Sequence, residues 1–303
     1  MPAFATHLYI AQEIVRTVRQ HGTKDEARSL ALQRGALSHD LGYFGDSDPF
    51  LSDLAHYVSP SALASSLVGT SGDTCAFGIG WLSHVVADCS IHPFVNERVG
   101  ELFGRESMNY EEDPKEHLRV ELGLDAAFFA SLPPEKRPVF PSGFHEASDA
   151  SLLQDGYRSA YGVDFPVENF VRAQRNFARY GRKLFNCSRM LGALFSQESL
   201  SSDLLVLYLT EYLPLRLLVS VVGKQHKHYG IARCLKPKQE HLELYSSLVQ
   251  GVVQEMVERI SNREFQLAER NLDTGRDLAV DADYPPVRRT KAALMRMTDG
   301  RGE

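Results

Sequence analysis

Residues 81–93 read WLSHVVADCSIHP. They close a longer apolar run, TCAFGIGWLSHVVADC over 74–89, whose composition predicts a buried helix. Pro93 is expected at or just past the helix end, because proline lacks an N–H and crowds the preceding turn. His84, Asp88 and His92 are spaced four apart. On a helix such positions stack along one face. Ionisable groups on an apolar stripe are costly to bury unless something satisfies them. A bound cation does so directly, since imidazole and carboxylate are both zinc ligands. The competing reading is a helix whose polar groups are paired at a domain interface.

A second helix is expected over 114–130, PKEHLRVELGLDAAFFA, and it repeats the pattern with His117, Glu121 and Asp125. A His and an acid one turn apart can chelate one ion, and the next acid, Asp125, can orient a ligand from behind. The bland alternative is a charged, solvated helix face. Upstream, GALSHDLGYFGD (35–46) carries His39 and Asp40, and DLAHY (53–57) carries His56. Adjacent helical positions point in different directions, so His39 and Asp40 need not share an ion. A lone histidine such as His56 is by default a surface residue. His7 opens an amphipathic helix over 5–20, with Thr6 as its expected N-cap.

Helical periodicity also marks 24–38, 167–195, 202–222 and 239–268, and no run of alternating strand residues occurs. The fold class read from this is all-α: a multi-helix bundle enclosing a metal cluster, with additional C-terminal helices. The expected organisation is a metal-binding helical core over 1–135 and an irregular, proline-rich connection over 136–168. C-terminal helices packing on the core follow over 169–270, then a polar, poorly ordered tail over 271–303. The most apolar stretch, DLLVLYLTEYLPLRLLVSVV (203–222), is interrupted by Glu211, Pro214 and Arg216. It reads as a buried helix pair and not as a transmembrane segment.

The formal net charge is −6 and no basic stripe stands out, so nucleic-acid binding gains no electrostatic support. The four cysteines form no C-x-x-C pair, which argues against a cysteine zinc knuckle. His226 and His228 in GKQHKHYG read as a solvated, lysine-rich loop. The first twenty residues carry no secretory signal pattern, and a cytoplasmic location is expected.

In their order along the chain these residues resemble the zinc-dependent phospholipase C family. The resemblance rests on His7 in THLYIA, Asp40 in HDLGYF, His56 in AHYVSP, His84 with Asp88, and His117 with Glu121, all within about residues 3 to 130. It implies an all-helical domain around a zinc cluster of two or three ions. By the same resemblance Asp40, His56, His84 and Asp88 would hold one ion, and His92, His117 and Glu121 a second. His7 and a bridging Asp88 would contribute to a third. The family's secreted members supply an N-terminal Trp to that third site, whereas the single Trp here is Trp81. If Met1 is removed, the Pro2 amine is a conceivable substitute.

The expected activity is hydrolysis of a phosphoester, a phosphodiester as in phospholipase C and lipids among the substrates expected, with Asp40 as general base or metal ligand. Manganese or iron would also suit the ligand set. HDLGYF is also similar to the paired His-Asp of HD-domain phosphohydrolases, which would recruit His39. A third reading is a non-catalytic, metal-stabilised helical protein. The head group and the oligomeric state are not legible.

Overall fold

The computed structural model describes residues 3–20, 26–68, 73–141 and 147–299. Among these the chain is all-α, with no β-strand and one isolated bridge between Arg270 and Asp277. The first half contains α1 (Phe4–Gln20), α2 (Glu26–Ser38), α3 (Pro49–Tyr57), α4 (Pro60–Val68), α5 (Asp73–Glu101) and α6 (Pro114–Ser131). The second half contains α7 (Ala147–Tyr161), α8 (Val167–Ser196), α9 (Ser202–Leu207), α10 (Leu213–Val222), α11 (Tyr229–Ala232), α12 (Gln239–Asn262) and α13 (Pro285–Asp299).

Helix α5 is the axis of the bundle and packs against α1, α2, α4, α6 and α12. Phe77, Trp81, Leu82, Val85 and Val95 along it are buried. Burying each such side chain is worth about 1.5–3 kcal/mol relative to exposure. The closest approach is to α2. A Cβ on Gly35 would lie 2.0 Å from the Phe77 carbonyl oxygen, and one on Gly80 would lie 2.0 Å from the Leu32 carbonyl oxygen. Two glycines facing each other's helix backbone therefore let α2 and α5 meet at backbone distance. The ligand-bearing turns that follow are brought together by that contact.

Pro93 lies inside α5, eight residues before its end, and not at its terminus. It leaves the Cys89 carbonyl without its usual intrahelical donor. Gly275 packs over that carbonyl, and a Cβ there would sit 2.6 Å from the Cys89 oxygen. The helix continues through Pro93 to Glu101, with Gly275 from a distant part of the chain packed over the freed carbonyl.

Three further expectations are corrected. The span 136–168 is not wholly irregular, since α7 occupies Ala147–Tyr161. Its buried stripe of Ala150, Leu153, Tyr157 and Tyr161 has helical spacing that the surrounding prolines obscured. The tail from 271 is folded as far as Asp299, with Asn271, Leu272, Asp273, Asp281 and Val287 buried. Polar anchors hold it, such as Asn271 Nδ2 donating to Asp281 Oδ2 at 2.8 Å. Composition does not register such anchors. Residues 300–303 lie outside the described residues.

The third correction concerns 203–222. This stretch is not buried: Val206, Leu209, Leu217, Leu218 and Val221 are exposed, Val221 to 87%. With its flanks, Ser202–Gln225 is long and apolar enough by length and composition to cross a membrane. Only a narrow stripe, Leu204, Tyr212 and Val219, is covered by the protein. Apolar composition alone cannot distinguish a core helix from an exposed apolar one.

Candidate metal centre

Five structural units bring the chemistry together. His7 comes from the first turns of α1, Asp40 from the turn after α2, and His56 from the end of α3. His84, Asp88 and His92 line one face of α5, while His117 and Glu121 lie on α6. All eight side chains are buried, none more than 5% exposed.

Asp88 is the hub. Its carboxylate oxygens lie 3.3 Å from His7 Nε2, 3.6 Å from His56 Nε2, 3.1 Å from His84 Nε2 and 3.7 Å from His92 Nε2. Asp40 lies 3.4 Å from His56 Nε2 and 3.7 Å from His84 Nε2. Glu121 completes the far end, 3.5 Å from His92 Nε2 and 3.7 Å from His117 Nε2. Ligand atoms at ~2.0–2.1 Å from a tetrahedral zinc ion stand about 3.3 Å apart, so these separations are those of shared coordination.

The polar atoms of this cluster are not satisfied by the protein. Asp40 Oδ1, His56 Nε2, His84 Nε2, Glu121 Oε2 and both ring nitrogens of His117 are buried without a hydrogen-bond partner. Leaving so many polar atoms unpaired would cost about 1–3 kcal/mol each. Divalent cations would satisfy them together. Within the cluster, His7, His84 and Asp88 form one set whose ligand atoms lie within 4.8 Å of one another, and His92, His117 and Glu121 form another. The donor set fits zinc.

The imidazoles are oriented from behind. His56 Nδ1 donates to the Ser52 carbonyl at 2.7 Å, His84 Nδ1 to Ala36 at 2.8 Å, and His92 Nδ1 to Leu272 at 2.8 Å. A proton fixed on Nδ1 leaves the Nε2 lone pair facing the centre. The Ala36 contact exists because the two glycines let α2 approach α5. Leu272 also donates its N–H to the His56 carbonyl at 3.4 Å.

Burial disfavours every charge in the cluster, and the neighbours decide the outcome. Burial would lower His92, but Asp88 and Glu121 push it up to about 9. Burial lowers His117 to about 4, with Glu121 opposing. Burial opposes ionisation of Asp88, yet His84, His92 and His7 hold its carboxyl well below the usual range. Asp40 is likewise held low, by His84 and His56 against its burial.

Asp125 and His39 sit behind this arrangement. Asp125 accepts four hydrogen bonds: from Ala5 N at 3.2 Å, Thr6 N at 2.8 Å, Thr6 Oγ1 at 2.9 Å and Ser188 Oγ at 2.8 Å. It therefore anchors the turn that presents His7 and touches no ligand histidine itself. Thr6 lies inside α1 and spends its hydroxyl on this contact instead of capping. His39 is fully buried, its ring stacked on His84 with centroids 4.6 Å apart, and both its nitrogens lack hydrogen-bond partners. Its ligand atoms fall within 4.8 Å of those of His56 and His84.

A family model for zinc dependent phospholipase C matches residues 6–162. The chain belongs to the zinc dependent phospholipase C family. All eight clustered residues fall inside the matched span. No curated protein and no solved structure gives a significant match to the chain. Met1 and Pro2, and with them the N-terminal amine considered for a third zinc, lie outside the described residues.

The zinc dependent phospholipase C domain does not close its own site. Beside the cluster is a cavity of about 90 Å³. His56, His92 and His117 line it from the metal side, and Asp53, Tyr43, Tyr57 and Tyr110 from the walls. Asp273, Pro286 and Arg289, from beyond the matched span, close the rest. At the mouth Arg289 pairs with Glu111 through two contacts of 2.6 and 3.2 Å. Asp273 is buried, takes a hydrogen bond from Tyr284 and leaves Oδ1 without a partner. Sequence reading missed these residues because nothing in a polar C-terminal segment carries a metal-ligand spacing. A larger groove lined by Phe129, Arg137 and Arg182 contains none of the clustered ligands.

Proposed function

We propose that this protein is a zinc-dependent phosphodiesterase of phospholipase C type. The supporting observation is the convergence of four imidazoles on Asp88, beside a cavity that opens past a charged Arg289. Family membership supports a metal-dependent phosphoesterase, and the diester preference is our reading.

In this reading Asp40, His56, His84 and Asp88 hold one zinc, and His92, His117 and Glu121 hold a second. His7 with Asp88 contributes to a third. Bound there, zinc supplies Lewis acidity towards phosphoryl oxygens and lowers the pKa of a water molecule towards ~7. The protein's own groups do the rest. Asp40, kept ionised by His84 and His56, has a buried Oδ1 without a protein partner, suited to a zinc ion or to accepting a hydrogen bond from the water that zinc would bind. Arg289, held at the cavity mouth by Glu111, places a guanidinium charge where a phosphate anion would enter, and would exchange the Glu111 carboxylate for it. Tyr43, Tyr57 and Tyr110 are all pushed up in pKa by burial and stay protonated; Tyr43 donates to Asp53 at 3.0 Å, which leaves Tyr57 and Tyr110 to donate to substrate oxygens.

The test is a panel of chromogenic phosphodiesters and phosphomonoesters with zinc-loaded protein. Diester hydrolysis that disappears in His84→Ala and Glu121→Ala is expected. Full zinc occupancy with no hydrolysis of any ester would instead establish a metal-stabilised, non-catalytic protein.

The position of His39 favours one second reading, an HD-type phosphohydrolase using His39 with Asp40. His39→Ala separates the two: the HD reading requires loss of an ion, whereas ours requires the zinc content to persist.

A further inference from the structure

We propose that the exposed face of Ser202–Gln225 docks in the plane of an anionic lipid surface. The proposal goes beyond the hydrolytic reading and does not depend on turnover.

Three observations carry it. First, the helix exposes two apolar groups, Val206 with Leu209 and, beyond Glu211 and the π-helical turn, Leu217 with Leu218 and Val221, all exposed by 48 to 87%. Soluble monomers seldom display so much apolar surface on one segment without a partner. Second, the charge beyond Tyr212 is predominantly positive, although the helix also exposes Asp203 and Glu211 in its first half and Lys224 pairs with Asp113 and Glu116. From Tyr212 to Gln239 the chain has no Asp or Glu but six Lys or Arg, in a protein of net charge −6. Arg216, Lys227, Lys236 and Lys238 among them are exposed. An apolar helix edged by cations is the composition that settles at an anionic headgroup boundary.

Third, the surface runs on towards the cavity. Lys224 Nζ stands 5.3 Å over the ring of Phe103, which is itself 48% exposed and follows the exposed Leu102. The same loop then supplies Tyr110 and Glu111 to the cavity beside the metal centre. Docking through this face would set the mouth of the cavity near the lipid headgroups.

The geometry selects an in-plane helix over a spanning one. Leu204 and Tyr212 are packed with Leu122, Ala126 and Met190 of α6 and α8, which a spanning helix would have to abandon. Glu211 and Arg216 stand at its middle, and a π-helical turn, Tyr208–Tyr212, precedes Pro214. A second copy of the chain is a poorer occupant. A two-fold interface puts the same patch against itself, so the cations would face cations.

Co-sedimentation of the full chain with vesicles tests this, using phosphatidylglycerol mixed with phosphatidylcholine against phosphatidylcholine alone. Binding to the anionic vesicles that weakens with added salt is expected. Leu217→Ser with Val221→Ser should lower it roughly tenfold or more. Lys227→Glu, at an exposed position, should lower it roughly fivefold. Helical content and hydrolysis of a soluble phosphoester should stay unchanged in both. Wild-type protein left in the supernatant, or variants that pellet as well as wild type, would overturn the proposal. So would a dimer in sedimentation velocity that Leu217→Ser with Val221→Ser abolishes, since the face would then be a self-association surface. Loss of soluble-ester activity with vesicle binding intact would count against the hydrolytic reading alone.

Discussion

His92 Nδ1 donates to the carbonyl of Leu272, 2.8 Å away and 180 residues later in the chain. The contact ties a ligand of the metal centre to a segment outside the span matched by the family. Around it, Asn96 Nδ2 donates to the Asp273 carbonyl at 2.7 Å, and Gly275 covers the carbonyl freed by Pro93. Residues 271–284 are thus a strap across the C-terminal half of α5, and His92 is aimed by it.

Gly275→Val should loosen the strap. The position has φ +68°, and a Cβ would lie 2.6 Å from the Cys89 oxygen. The expected cost is about 1–3 kcal/mol of stability. Zinc should also be lost faster to a chelator, because His92 is no longer held in place. The check is urea denaturation together with the rate of zinc transfer to a chromogenic chelator. Unchanged zinc release in a destabilised variant would show that the strap acts on folding alone.

Asp125→Ala should be among the most damaging substitutions outside the ligands. It leaves the Ala5 and Thr6 amides and the Thr6 and Ser188 hydroxyls without their shared acceptor. At about 1–3 kcal/mol per unsatisfied buried donor, a loss of at least 3 kcal/mol is expected. Asp125→Asn should not rescue fully, since an amide turns a donor towards donors. Denaturant midpoints of the two variants check this.

The zinc-free protein should lose stability as pH rises through about 9. His92 is pushed up to about 9 from its ordinary 6.5: burial opposes the shift, and Asp88 and Glu121 outweigh it. A folded pKa above the unfolded one gives a contribution that is complete below pH 6.5 and lost on passing about 9. Zinc takes the neutral ring, so binding should expel a proton across the same window and tighten as pH rises. Denaturation of the apoprotein at several pH values, with calorimetry of zinc binding in two buffers, measures both effects. An apoprotein that gains stability across that window would refute this assignment.

Arg289→Ala should raise KM for an anionic phosphoester more than it lowers kcat, with a loss of roughly tenfold or more in kcat/KM. Glu111→Ala frees the same guanidinium and should not weaken substrate binding. Steady-state kinetics on a soluble diester decide the point, and equal effects of the two substitutions would argue that the pair only holds α13 in place.

The metal-ligand pattern was legible because helices convert spacing into direction. His84, Asp88 and His92 share a face wherever α5 is helical, and His117 with Glu121 repeat the arrangement on α6. The role of His56 came from the family resemblance and not from its own spacing, because its environment depends on how α3 docks. Gly35 and Gly80 carry no metal-ligand signal in the sequence, and only their mutual approach explains how Ala36 reaches His84. The strap escaped notice because Asn271, Asp273 and Asp281 hold it through hydrogen bonds, which leave no periodicity. The 203–222 helix was misplaced because hydropathy reports what a segment avoids, and water can be excluded by something other than the protein's own core.

Elemental analysis of the purified protein beside Asp88→Asn is the most direct measurement. Asp88 reaches four imidazoles, so wild-type protein should carry two or three zinc ions per chain and the variant should lose at least one. Wild-type protein without stoichiometric metal, or a variant that keeps all of it, would contradict a metal centre organised on Asp88.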